Sequence, residues 1–228
     1  MTRTRFHQGL DQLKEKLLVM GGLAEQSVDM AVDGYRRRDA KLCNQVFEIE
    51  KQINLAEREI DELALDLLAM QQPMAVDLRF IMACMKINAD LERVGDQAVN
   101  IAQRGIEVST LADADLHIDI PRMAETVAGM MQRALESFIE RKADLAEAVL
   151  KMDDVVDRMN DDIFVAMAEK IRSSPEASLQ ALDALLVSRN LERVADHATN
   201  IAEDVIFWVR GADVRHGGGK DKTDPEND

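Results

Sequence analysis

Two short stretches of this sequence carry acidic side chains at a spacing of four residues. The stretch DLERVGDQAVNIA returns as NLERVADHATNIA one hundred residues later. Glu92 with Asp96, and Glu192 with Asp196, therefore recur as matched pairs. Like charges one helical turn apart destabilise a helix by roughly 0.2–0.5 kcal/mol unless a cation lies between them. Because hard cations prefer clustered carboxylate oxygens, the repeated pairs are candidate ligands of a metal ion.

Polar side chains also interrupt the apolar heptad seam of the helix that precedes each pair. The interruptions fall at equivalent places in the two halves, at Glu50, Glu57, Asp153 and Asn160. A buried carboxylate without a partner is costly, so these side chains must be paired, exposed at the edge of the seam or bound to a cation. Their recurrence at the same seam positions favours the metal hypothesis.

The second half predicts the more acidic of two sites. Asp153 and Asp157 form a pair that can face the Glu192 pair across two helices, so four carboxylates converge. In the first half, Asn54 takes the position equivalent to Asp157 and offers a neutral oxygen beside Glu50. We expect the first site to be less negative and to bind a metal more weakly or with a different preference.

The alternative is an ordinary solvated face in which Arg93 and Arg193 neutralise the acids. His197 does not decide between the two, because its counterpart is Gln97; it is predicted to be a lone surface or structural histidine. Motifs typical of catalysis, such as HExxH, GxSxG, GxGxxG and the Walker loop, do not occur in the sequence. No catalytic residue is predicted, and the protein is not expected to be an enzyme.

Composition argues against several classes of function. A net charge of −15 disfavours nucleic-acid binding, which needs Lys and Arg against the phosphates. No apolar stretch approaches the length of a membrane span or resembles a signal peptide, so a cytoplasmic protein is predicted, with membrane association only through partners. Cys43 and Cys84 lie on apolar helical faces without CxxC spacing and are predicted to be reduced core residues.

Helix-forming residues dominate and no segment alternates with the period of a strand, so an all-α fold is predicted. Pro73, Pro121 and Pro175 each precede a stretch of helical periodicity, which is typical of helix starts. Ser173 with Glu176 matches the capping-box pattern. Six helices are expected at about residues 6–37, 40–71, 74–108, 121–141, 144–172 and 176–209.

The repeat covers both halves and predicts two tandem, pseudo-symmetric three-helix bundles. The first bundle is expected at residues 1–108 and the second at residues 121–210, joined by a linker at residues 109–120. The tail at residues 211–228 is rich in glycine and charge and is predicted to be disordered.

Several segments together resemble the PhoU family. The resemblance covers nearly the whole chain and rests on the doubled LERVGD and LERVAD motifs, with VMGGLAEQ, QPMAVDLRFI and VRGADVRHGGG. It implies two three-helix bundles, each with a multinuclear metal cluster on E(D)xxxD motifs; Asn54 departs from that pattern. The residues matched as metal ligands are Glu50, Glu92, Asp96, Asp153, Asp157, Glu192 and Asp196. Carboxylates accept iron, zinc, manganese, magnesium or calcium, so the metal stays open.

The resemblance also implies a role. It is that of a non-enzymatic regulator of phosphate uptake and phosphate-starvation signalling, linking the ATPase subunit of a phosphate ABC transporter to a sensor histidine kinase. Such a negative regulator keeps the starvation response off when phosphate is plentiful. A carboxylate-bridged metalloenzyme and a metal-free helical scaffold are the alternatives. Phe207 and Trp208, expected to be exposed, would support a homodimer.

Overall fold

The computed structural model describes residues 2–70, 73–112, 114, 116 and 118–211. Long helices account for nearly all of these residues, and no β-strand occurs among them. A short 3₁₀ turn at Pro175–Ala177 precedes the last helix. The helices in chain order are α1 (Thr2–Arg37), α2 (Ala40–Met70), α3 (Ala75–Ser109), α4 (Ile120–Glu140), α5 (Ala143–Leu150), α6 (Asp153–Ser173) and α7 (Ser178–Arg210).

The helices form two bundles of similar design. Helices α1, α2 and α3 pack against one another, and α4 and α7 pack with α5 and α6, which together take the place of one long helix. Helix α3 also packs along α7, and α1 contacts α4, so one apolar core runs through both bundles. The predicted all-α fold of two three-helix bundles is confirmed. The described helices include none with an apolar stretch that would span a bilayer.

The predicted linker lies between Ser109, the last residue of α3, and Ile120, the first residue of α4. Asp119 ends this segment and caps α4, because its Oδ1 accepts a hydrogen bond of 3.1 Å from the backbone N–H of Arg122. The predicted disordered tail lies outside the described residues apart from Gly211, so its disorder stays a prediction.

The middle helix of the second bundle is interrupted, although the sequence predicts one helix over residues 144–172. The backbone N–H of Met152 donates to the carbonyl of Val149 at 2.9 Å, a bond of the tighter 3₁₀ type that closes α5. Helix α6 then begins at Asp153, so that Asp153 and Asp154 occupy its first turn. The positive end of the helix dipole favours carboxylates at that position.

The capping-box prediction at Ser173 is wrong. Ser173 is the last residue of α6, and its hydroxyl donates to the carbonyl of Glu169 at 3.0 Å. The N–H groups near Glu176 belong to the 3₁₀ turn, whose N-cap residue Ser174 makes no side-chain capping bond.

The first turns of the two bundles have the same backbone geometry. Arg38 and Arg141 both have a φ of 55°, in the left-handed region, and they stand at equivalent positions of the repeat. Each follows the last residue of its helix, as residues in this conformation commonly do. The pseudo-symmetry predicted from side-chain patterns therefore extends to the backbone.

Trp208 is buried between the two bundles, which corrects its predicted exposure. Its ring lies 5.0 Å from that of Phe80 in α3 and 5.3 Å from that of Phe138 in α4. The guanidinium of Arg141 covers the Trp208 ring at 4.8 Å. Phe207 is half-buried. Trp208 therefore contributes to packing between the bundles, and it does not supply an apolar surface for a homodimer.

Polar contacts also join α3 to α7. Lys86 donates to Asp204 at 3.0 Å, and both side chains are largely shielded from solvent. His197 Nδ1 lies 2.9 Å from Asp90 Oδ1, and Asn200 donates to the same oxygen at 3.2 Å. The structural role predicted for His197 agrees with this geometry.

The predicted core cysteines are buried and free. Burial raises the pKa of the Cys43 thiol to about 11 and raises that of Cys84 further. Cys43 lies where α1, α2 and α3 approach one another closely, and glycines stand at Gly34 of α1 and Gly105 of α3 beside its sulfur. A Cβ on Gly105 would come within 2.5 Å of the Cys43 sulfur and 3.1 Å of the Tyr35 backbone.

Gly105→Ala should therefore destabilise the fold. Overpacking costs about 1–3 kcal/mol, which exceeds the roughly 1 kcal/mol that Ala gains over Gly in a helix, so a net loss of about 1 kcal/mol is expected. Gly22→Ala is the matched control, because a Cβ there meets nothing within 4 Å and should stabilise α1. Urea unfolding at constant m-value measures both changes, and equal shifts in the two variants would contradict the close approach.

Candidate metal sites

The four acids predicted in the second half approach one another across α6 and α7. Burial raises the pKa of Asp153, and the charges of Asp157 and Asp196 raise it further. The hydroxyl of Thr199 in α7 donates to Asp153 Oδ1 at 3.3 Å, which joins the two helices at this point. The facing arrangement of the two pairs is therefore present in the fold.

Glu192 is largely shielded from solvent. Its side chain is 12% exposed, and its Oε1 accepts a hydrogen bond of 2.5 Å from Arg189. Its Oε2 is buried and has no hydrogen-bond partner. Burial raises the pKa of Glu192, and the charges of Asp196 and Asp157 raise it further. A buried carboxylate oxygen without a donor is costly, and a cation would satisfy it.

Asp196 completes the cluster at its solvent side. Asp196 is exposed as a residue, but partial burial of its carboxyl raises its pKa. The charge of Asp157 raises this pKa further, and the charges of His197 and Arg189 lower it. Asp157 is exposed on α6. The four acids thus form a cluster at the surface between α6 and α7, and the buried Oε2 of Glu192 lies on its inner side.

The first half contains a matching cluster between α2 and α3. Burial raises the pKa of Glu92, and the charges of Asp96, Glu57 and Glu50 raise it further, with Asp96 contributing most among these charges. The amide of Asn54 donates a short hydrogen bond to Glu50 Oε1. Asn54 is therefore a donor to an acid of the cluster.

Glu57 is a further acid beside the first cluster, which the prediction of a less negative first site did not count. Its charge raises the pKa of Glu92 more than that of Glu50 does, so it supplies a fourth carboxylate. The equivalent position in the second half is Asn160, whereas Asn54 is equivalent to Asp157. Each half therefore has four acids and one amide, with the amide at a different position. The seam pattern singled out Glu57, but the E(D)xxxD spacing left it out of the predicted ligands.

Arginine neutralisation, the alternative interpretation, occurs in part. Arg189 pairs with Glu192, but the arginines expected to do this are Arg93 and Arg193. Both of these are exposed and form no salt bridge with any described residue, but the charge of Arg93 lowers the pKa of Glu92 and that of Arg193 lowers the pKa of Glu192 and Asp196. Arginine charge therefore offsets part of the repulsion in both clusters, although Glu192 is the one cluster acid that forms a salt bridge within the described residues.

The clusters are not closed ligand sets. Within residues 2–70, 73–112, 114, 116 and 118–211, no group of three or more Asp, Glu, His or Cys side chains is already gathered in a geometry that holds a metal. The seven predicted ligands are nevertheless brought to the edges of two helix pairs, where the donor set suits hard cations.

The fold and these clusters define a class of protein: a duplicated three-helix bundle with an acid cluster beside the third helix of each copy. The PhoU domain matches the chain twice, at residues 17–105 and 120–205. The chain therefore belongs to the PhoU family.

Similar proteins carry names that fit this family. The chain is 38% identical to a phosphate-specific transport system accessory protein PhoU homolog of Pseudomonas putida, over 96% of this chain and 86% of that protein. It is 29% identical to PhoU of Escherichia coli K12, over 94% of this chain and 89% of that protein. The crystal structure of PhoU from Pseudomonas aeruginosa superposes with a TM-score of 0.87 at 38% identity, covering 90% of this chain and 99% of that one.

Asp157→Asn should stabilise the metal-free protein at pH 7, by about 0.2–0.5 kcal/mol for one like-charge pair on a helix surface. Asp157 raises the pKa of Asp153, Glu192 and Asp196, so the folded state binds protons more tightly than the unfolded state, and stability falls as pH rises through those pKa values. The gain should therefore shrink as the pH falls from 7 towards 4, because the repulsion weakens as the acids take up protons.

The control for this prediction is Asp162→Asn. Asp162 is exposed on α6, has no acid three or four residues away and contributes to none of these pKa shifts. Thermal unfolding in the presence of a chelator, at pH 4 and pH 7, measures both variants. A gain that is the same for the two variants, or the same at both pH values, would show that the acids do not repel one another.

Proposed function

We propose that this chain is a non-enzymatic regulator of phosphate uptake and of phosphate-starvation signalling. The single observation that carries the proposal is the match over 96% of the chain to a relative named as a phosphate-specific transport system accessory protein. The described residues support a non-catalytic role, because the acid clusters lie on exposed helix edges and not in a closed pocket.

The two acid clusters are proposed to bind metal ions, held by Glu50, Glu92 and Asp96 in the first half and by the Asp153 and Glu192 pairs in the second. A bound cation supplies positive charge that cancels repulsion between the facing carboxylates. Glu192 offers its unpartnered Oε2 inwards, while Asp157 and Asp196 offer oxygens at the rim. The helices that carry these acids, α6 and α7, would then hold one relative position.

Signalling is proposed to proceed through binding equilibria. The proposed partners are the ATPase subunit of a phosphate ABC transporter and a sensor histidine kinase, with the chain as adaptor and negative regulator when phosphate is plentiful. A partner shifts a conformational equilibrium only by its difference in affinity for the two states. Fixing the helix edges would bias that equilibrium. The protein is proposed to be cytoplasmic, to form a homodimer, and to reach the membrane through its partners.

Removing the Glu192 and Asp196 carboxylates together should reduce metal binding. The variant Glu192→Ala with Asp196→Ala is expected to lose the share of metal held by the second cluster, as measured by elemental analysis after dialysis against Mn²⁺. The wild-type melting temperature should rise with Mn²⁺, since a ligand of the native state at a hundred times its Kd adds about 2.7 kcal/mol.

Asp161→Ala serves as the control, since it removes an exposed acid of α6 outside the cluster. Equal metal content in the double variant and in wild type would rule out the second site. A melting curve unaffected by chelator and by Mn²⁺, with no metal detected, would favour the metal-free scaffold. Oxygen consumption or phosphatase turnover that disappears with the acids would favour the metalloenzyme.

The adaptor role predicts specific partners. Affinity capture with the full chain from phosphate-replete cells, followed by mass spectrometry, should recover the ATPase subunit of a phosphate transporter and a sensor histidine kinase. The double variant at Glu192 and Asp196 should recover less of both, whereas the Asp161→Ala control should recover as much as wild type. Repeated capture without either partner would contradict the proposed role.

A further inference from the structure

A groove between the two bundles is lined by positive charge on an otherwise acidic protein. It encloses about 320 Å³ between the C-terminal half of α3 and the N-terminal half of α7. Its lining residues are Asn100, Gln103, Arg104, Leu186, Arg189, Asn190 and Arg193. Three arginines and no acid line the groove, in a chain whose net charge is −15. Such a local excess of guanidinium groups favours an anionic ligand.

The internal repeat provides a comparison for this charge. The third helices of the two repeats are offset by one hundred residues, so each residue of the groove has an equivalent one hundred positions away. These equivalent residues lie together on the other halves of α3 and α7. This equivalent surface consists of Lys86, Ala89, Asp90, Arg93, Asn200, Glu203 and Asp204. It has three acids and two basic residues, whereas the groove has three arginines alone. The three acids of the equivalent surface, Asp90, Glu203 and Asp204, correspond to Asn190, Gln103 and Arg104 in the groove. The positive charge of the groove is therefore not a consequence of the repeat.

The arginines have donors available for a ligand. Arg193 is exposed and forms no salt bridge with any described residue. Arg104 bonds Glu107 and Asp183 through Nη1 alone, at 2.5 and 3.4 Å. The amide side chains of Asn100 and Gln103 stand on the α3 wall of the groove, while the Asn190 amide on the α7 wall donates to the carbonyl of Leu186 at 2.6 Å. Guanidinium and amide donors thus face one space from two helices.

We propose that this groove binds a phosphoryl oxyanion, either inorganic phosphate or the phosphoryl group of a small molecule. Guanidinium forks donate paired hydrogen bonds to carboxylate and to phosphate. A carboxylate has two oxygens and is satisfied by one or two forks. A phosphoryl dianion presents at least three oxygens and more charge, which matches three arginines placed on two helices. The volume of the groove leaves room for the rest of a small phosphorylated molecule.

Arg189 connects the groove to the second acid cluster. It lines the groove, and its Nη1 is bonded to Glu192 Oε1 at 2.5 Å. A cation on Glu192 Oε2 would withdraw negative charge from the carboxylate, so the bond from Arg189 to Oε1 would weaken and the guanidinium would become more available to the anion. Metal and oxyanion binding should then strengthen each other. This coupling rests on the proposed metal site, whereas the groove itself does not.

Isothermal titration of the full chain with inorganic phosphate and with adenosine monophosphate, both in a chelator at low ionic strength, tests the groove. Wild type should bind, and Arg193→Ala should weaken binding roughly tenfold or more, the cost of one charge-assisted contact. Arg93→Ala is the matched control, because it removes the same charge at the equivalent exposed position of α3 and should leave the affinity unchanged.

No binding of either probe, or equal loss in the Arg193 and Arg93 variants, would overturn the groove as a site. Binding that requires metal and survives Arg193→Ala would place the anion on the metal and would overturn it as well. Similar affinities for the two probes would indicate that inorganic phosphate is a sufficient ligand. A higher affinity for adenosine monophosphate would indicate that the groove binds a phosphorylated small molecule. Both of these results support a phosphoryl ligand.

Glu192→Gln tests the coupling without any metal. It removes the charge that holds Arg189, so phosphate should bind several-fold more tightly in chelator, and adding Arg189→Ala should abolish the gain. Unchanged affinity in Glu192→Gln would overturn the coupling while leaving the groove in place. Metal content, measured separately, reports the proposed cluster on its own. Circular dichroism melting shows whether each variant is folded.

Discussion

Repulsion between carboxylates at the edges of two helix pairs is the constraint around which this structure is organised. Burial and neighbouring acids raise the pKa of Glu92 in the first cluster and the pKa values of Asp153, Glu192 and Asp196 in the second. The Oε2 of Glu192 is buried and accepts no hydrogen bond. The apolar core behind the clusters must offset this cost, since it fixes the helices that carry the acids. Without a bound cation, neutral side chains at these edges would make the protein more stable than the acids do.

The duplication shows which features of the clusters matter. Both halves keep four acids and one amide, yet the amide moves from Asn54 in one half to the position of Asn160 in the other. Conserving the number of charges while moving the neutral residue is what a requirement on total charge would produce. The contact between α3 and α7 behaves differently: the same repeat gives acids at one end and arginines at the other. The two regions are therefore under separate constraints.

Local patterns predicted the helices and most of the acids, because heptad spacing and the repeat are properties of single helices. The features that sequence reasoning missed depend on contacts between helices. Trp208 looks exposed on an isolated α7 and becomes buried only when Phe80 and Phe138 of two other helices meet it. The heptad seam of α2 singles out Glu57, but its effect on Glu92 arises across α2 and α3, which the E(D)xxxD spacing of one helix does not contain. The break before Asp153 has no proline or glycine to mark it.

Helix α7 is the element that both kinds of site share. Its side towards α6 carries Glu192 and Asp196, while Arg189 and Arg193 line the groove towards α3. One helix that is anchored by an apolar stripe cannot change its position towards α6 without also changing the α3 contact, because packed interiors transmit displacement. The Arg189–Glu192 pair gives that mechanical link an electrostatic counterpart, since one guanidinium lies between the acid cluster and the groove. A cation bound at the acid cluster, or an anion bound in the groove, should therefore change the binding free energy at the other site.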